Sequence, residues 1–101
     1  MTIYDKAAWQ IDGGIPEDLV VSHFRTVFLW LHSHDLLSEE GLEELEDGID
    51  DCAVLHERLV TEEGRDFLDA CYDEYLMAVA KDKYGMDHNG EELEKIYRNH
   101  R

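Results

Sequence analysis

Pro16-Glu17-Asp18-Leu19-Val20-Val21-Ser22-His23-Phe24-Arg25-Thr26-Val27-Phe28-Leu29-Trp30-Leu31 is the stretch from which the fold is read. Proline has no N–H to lose at a first helical position, and acids in the first turn complement the helix dipole, so Pro16-Glu17-Asp18 marks a start. Val20, Phe24, Val27 and Leu31 then recur at i, i+4, i+7 and i+11, one face of a helix. Phe28 and Trp30 widen that stripe beyond a seam, which predicts the most buried helix of the chain, ending near His34-Asp35.

Working outward, Ser38 with Glu39 and Glu40 predicts a second capped start. Leu42, Leu45, Ile49, Cys52, His56 and Leu59 follow at spacings of three and four, an amphipathic seam for a helix over 38–59, with a kink or break expected at Asp47-Gly48. Thr61-Glu62-Glu63 predicts another start, continued by Phe67, Leu68, Cys71, Tyr72, Tyr75, Leu76 and Val79. Gly85 and Asp87-His88-Asn89-Gly90 predict a turn, and Glu91–Tyr97 a short last helix resting on Leu93, Ile96 and Tyr97. On the N-terminal side, Tyr4–Gln10 reads as a short helix or a packed arm, broken by Asp12-Gly13-Gly14. No segment alternates long enough to predict a strand. The expectation is an all-α fold, a compact single domain of four to five antiparallel helices over residues 1–101, with Phe24, Val27, Phe28, Leu31, Leu45, Ile49, Phe67, Cys71, Tyr75 and Leu76 in the core.

Charge narrows the function. The 101 residues carry 25 Asp plus Glu against nine Lys plus Arg, a net −16. The imbalance sits in the middle: residues 36–74 hold fifteen acids and two bases. Such a field repels phosphate backbones and anionic lipid and attracts basic proteins, which argues against nucleic-acid and membrane partners. No apolar run reaches the roughly 18–20 residues of a membrane helix, and the N-terminus lacks a basic and apolar signal pattern. Cys52 and Cys71 both fall on apolar helical positions and read as buried reduced thiols, so the expected compartment is the cytoplasm.

Nothing in the chain spells a catalytic motif. His32 and His34 are two apart, about 200° around a helix, and so diverge instead of sharing a metal; they read as helix C-terminal residues. His23 and His56 lie beside apolar stripes and read as satisfied core or boundary histidines. Asp87-His88-Asn89-Gly90-Glu91 places its glycine too early for a calcium loop. Asp50, Asp51 and Glu57 admit an acid–base pair on paper, but adjacent acids are what an acid-rich segment produces without one. No catalytic residue, metal or cofactor is expected, and the chain reads as a non-enzyme.

One resemblance adds to this. Tyr4-Asp5-Lys6-Ala7-Ala8-Trp9-Gln10, Gly13-Gly14 and Ile15-Pro16-Glu17-Asp18-Leu19 resemble the opening of an uncharacterised family of small bacterial proteins. That opening is a Tyr-Asp-x-Ala-x-Trp-His element before a glycine turn and a Phe-Pro-x-Asp-Leu helix start. The likeness continues through Phe28-Leu29-Trp30 and Leu37-Ser38-Glu39-Glu40, and more weakly through Thr61–Gly64, Phe67 and Tyr72, some 40 residues in all. Gln10 stands where the family has histidine, and Ile15 where it has an aromatic. The family brings no established activity; its members resemble small proteins of bacterial toxin–immunity clusters.

Two binding functions follow as expectations. In the first, the chain is an immunity or antitoxin-type protein that neutralises a basic toxin domain, such as a nuclease, through an acidic helical face formed by Glu43, Glu44, Glu46, Asp47, Asp50, Asp51 and Glu57. In the second it is a regulatory or scaffold domain that binds some other protein. A steered acidic–basic encounter slows steeply with salt, which separates the two.

Overall fold

A computed structural model of the chain describes residues 2–83 and 90–100, with side chains through residue 79 and again from residue 90. In order, the elements are β1 (Ile3–Lys6), α1 (Ala7–Asp12), α2 (Glu17–Ser33), α3 (Glu39–Asp47), β2 (Val54–His56), a 3-10 turn (Glu57–Leu59), α4 (Glu62–Lys83) and α5 (Glu91–His100). The chain is mainly helical, but not purely so. Strands β1 and β2 pair antiparallel, with Asp5 opposite Leu55 and an irregularity between Ile3 and Asp5.

Helix α2 is the centre of the molecule, as its stripe requires. Val20, His23, Phe24, Val27, Phe28, Trp30 and Leu31 are all buried along it. It ends at Ser33, and Asp35 just beyond takes the left-handed conformation at φ 57°. The Leu36 N–H then bonds to the Leu31 carbonyl and the Asp35 N–H to that of His32, the paired bonds of a Schellman end.

The segment 38–59 corrects the sequence reading. Ser38 does cap α3: its hydroxyl accepts from the Gly41 N–H at 3.2 Å and donates to the Arg58 carbonyl at 2.6 Å. The helix ends at Gly48, at φ 102°, and the chain runs on as a loop, a strand and a 3-10 turn. The seam of threes and fours is therefore real only to Leu45. Beyond it, Ile49 and Leu59 are buried through loop and turn geometry, while Cys52 is exposed, against expectation. A three-residue strand carries too little alternation to be read from sequence, and its pairing partner lies about fifty residues away.

The 59–61 stretch returns alongside 36–38, with Leu37 bridged to Val60 and the Ser38 and Thr61 N–H groups bonded to the Leu59 and Leu36 carbonyls. That return brings backbones close. A methyl group on Gly41 would collide with the Leu59 carbonyl oxygen, and one on Gly64 would sit 2.8 Å from that of Leu36. Both helix starts are thus set against carbonyls that only glycine admits.

Eight of the ten expected core residues are buried; Leu45 and Leu76 are half-buried at its margin. The N-terminal segment, read as a short helix or a packed arm, is a strand, which was not expected, followed by the short helix α1. It docks through Ala7, which is fully buried, and through Tyr4, whose hydroxyl donates to Asp69 at 2.7 Å. Burial first, and then Asp69, push the Tyr4 phenol well above its ordinary pKa. Trp9 departs from the docked role expected of it: it is 52% exposed, with the Lys6 ammonium over its ring. The expected turn at Gly85 and Asp87–Asn89 lies outside the described residues. No described helix is long and apolar enough to cross a membrane.

Candidate protein-binding surface

The seven carboxylates do not share one helix face, because the helix that would have aligned them ends at Asp47. Glu43, Glu44, Glu46 and Asp47 project from α3, all exposed. Asp50 and Asp51 lie on the loop after it, also exposed. Glu57 separates from this group. It is half-buried in the 3-10 turn, where its carboxylate accepts from the Thr2 N–H at 2.9 Å and pairs with Arg65 at 3.7 Å. Its work is to hold the N-terminus against α4, and it is not a free acid of the surface.

The loop has its own order. The Asp50 carboxylate accepts from the Cys52 N–H at 2.8 Å, closing a small turn. The Asp51 carboxylate, and then that of Asp50, push the exposed Cys52 thiol above its ordinary pKa, which disfavours the thiolate. Asp50, Asp51 and Cys52 bring three donor atoms within 4.8 Å of one another. Three exposed donors leave most of a hard cation's coordination sphere to water, which makes a weak site. A hollow of about 270 Å³ opens beside them, with Phe28, Ile49 and Ala53 toward its apolar side and Glu44, Asp47 and Asp50 among its acids.

Sequence reasoning missed a buried polar cluster. Asp5 and His23 are each 1% exposed. The Tyr72 hydroxyl donates to Asp5 at 2.7 Å; its one hydrogen is thereby used, so its oxygen accepts from His23 Nε2 at 3.2 Å. Gln10 donates to the other Asp5 oxygen at 2.9 Å, and Tyr75 stacks on the His23 ring. The cluster joins β1, α1, α2 and α4 at one carboxylate. His23 was legible as a satisfied core histidine; Asp5 was not, because its partners lie 5, 18 and 67 residues away.

A second polar cluster is partly open to solvent. Glu94 of α5 accepts from His34 at 2.6 Å and from Trp30 at 3.3 Å on one oxygen, and from Arg98 at 3.2 Å on the other. Burial pushes the Glu94 carboxyl up, but the hydrogen bond and charge of His34, helped by Trp30 and Arg98, outweigh it and hold the group below its ordinary pKa. His32 is exposed, while His34 bonds to Glu94 and packs against the Trp30 ring.

Compared with family models, curated proteins and solved structures, the chain matches none.

Proposed function

We propose that this chain is a non-catalytic binding protein of the immunity or antitoxin type, covering a basic toxin domain with the acidic surface of α3 and the loop after it. One observation carries the reading. Residues 39–51 hold eight acids and no lysine or arginine, and all eight are exposed. The six of them on α3 suffer like-charge repulsion of a few tenths of a kcal/mol per neighbouring pair. A basic partner relieves that repulsion while gaining its own counter-charges. A nuclease domain is such a partner, because its cleft must grip phosphates.

The end of α3 adds shape to charge. The hollow beside Asp47 and Asp50 sets apolar side chains next to carboxylates, the pairing that takes the stem and head of a lysine or arginine. Asp50 and Asp51 project beside it from a loop braced by its own hydrogen bond, so little freedom is lost on binding.

The test is association with the basic domain of any toxin-like gene found next to the one that encodes this chain, measured by stopped-flow at several salt concentrations. The association rate is expected to fall by at least about tenfold between low and high salt. Asp50→Lys with Asp51→Lys is expected to leave the circular dichroism spectrum intact and weaken binding by more than about tenfold. A salt-independent rate, with the double variant binding like the parent, overturns the reading.

A further inference from the structure

Helix α5 is built around a single aromatic side chain of α2. Gly90, Glu94 and Tyr97 recur at i, i+4 and i+7, and all three meet Trp30. Gly90 lies so close that a methyl group there would stand 2.8 Å from the indole. Its φ of 71° also suits glycine. Glu94 accepts the indole N–H, and the Tyr97 ring meets the indole edge-on at 5.2 Å. Phe67 of α4 completes the cluster, 5.3 Å from Trp30 and 5.2 Å from Tyr97. Leu93 and Ile96 are buried beside these rings.

A ten-residue helix is too short to persist in water without such packing. Among the described residues, the Glu94 carboxylate ties it to α2 by hydrogen bonds. Glu94 collects the Trp30 and His34 donors from α2 and the Arg98 donor from its own helix. A carboxylate accepts all three; a carboxylic acid carries a proton on one oxygen and loses the charge that strengthens the His34 and Arg98 contacts.

We infer that α5 is an acid-released strap: protonation of Glu94 undocks it from Trp30 while α2 and α4 stay folded. The charged and titratable groups around Glu94 agree with that direction. His34 faces it from α2, and Arg98 from its own helix. Glu91 and Lys95 border the adjoining hollow, and His100 lies against Phe67 on α4. In acid the carboxylate that gathers His34 and Arg98 is neutral. The sign follows from the lowered carboxyl: its contribution is complete above the ordinary carboxylate range and is lost as pH falls through the folded-state value. Helix α3 responds the other way, because protonating its exposed acids relieves their repulsion.

Amide hydrogen exchange on the full chain, at stepped pH and corrected for intrinsic rates, reads both ends at once. Protection of the Leu93–Arg98 amides is expected to fall about tenfold on acidification through the carboxylate range, with α3 amides unchanged or better protected and α2 amides intact. Glu94→Gln is expected to give an α5 whose protection does not depend on pH over that range, whether docked or not. Loss of α5 and α2 protection together at one pH overturns the inference. So does a Glu94→Gln chain that keeps the parent's pH dependence.

Discussion

Tyr72 shows what a single hydroxyl does in this core. It is 3% exposed, and its oxygen stands between the Asp5 carboxylate and the His23 ring. A buried carboxylate that loses a donor keeps its desolvation cost without the compensation, which is worth about 1–3 kcal/mol. Tyr72→Phe removes one oxygen and leaves the ring in place, so packing is held nearly constant. The variant is expected to lose about 1–3 kcal/mol of stability in urea unfolding. The sequence legibly placed Tyr72 on the inner face of α4, by the spacing of Phe67, Leu68, Cys71, Tyr72 and Tyr75. That it meets an aspartate from residue 5 was not legible. Periodicity reports which way a side chain points on its own helix and says nothing of what comes to face it.

At the scale of the element, α3 is the instructive case. Its start was readable, since a serine before two acids is a cap with a mechanism. Its end was half readable: Gly48 marked a break, but the seam of apolar residues continued past it and suggested more helix. Spacings of three and four recur by chance when the acids between them are numerous. The chain after Gly48 instead gives a strand to β1, and backbone bonds close both ends of that pair, with the Ala7 N–H bonded to the Ala53 carbonyl and the Glu57 N–H to that of Thr2. Ser38 ties the two halves together, capping α3 with one side of its hydroxyl and reaching Arg58 with the other. Ser38→Ala removes both bonds and is expected to cost roughly 1–2 kcal/mol, measured by thermal or urea unfolding. The same break dispersed the candidate site. Glu57 was assigned to the acidic face by a helix that is not there, and it serves instead as an anchor for Thr2 and Arg65.

For the whole molecule, net charge governs behaviour that no single contact explains. With fifteen acids and two bases in residues 36–74, the folded state concentrates repulsion that the unfolded chain spreads out. Screening relieves it: at about 0.5 M salt the Debye length falls to a few ångströms. Raising sodium chloride from low ionic strength to that value is expected to raise the melting temperature, read by circular dichroism; a melting temperature that falls would show that attractive ion pairs dominate. Composition and apolar spacing alone determined the acidity, the single core centred on α2, the helix starts at Pro16, Ser38 and Thr61, and most of the buried residues, because each of these is a property of neighbours within a few turns of chain. Tertiary structure alone decided the β1–β2 pairing, the burial of Asp5, the clasp of Gly90, Glu94 and Tyr97 on Trp30, and the exposure of Cys52 and Trp9. Each of those depends on residues about 18 to 67 apart in sequence meeting in space, or on a side chain that nothing comes to cover, and neither leaves a periodic trace in the chain.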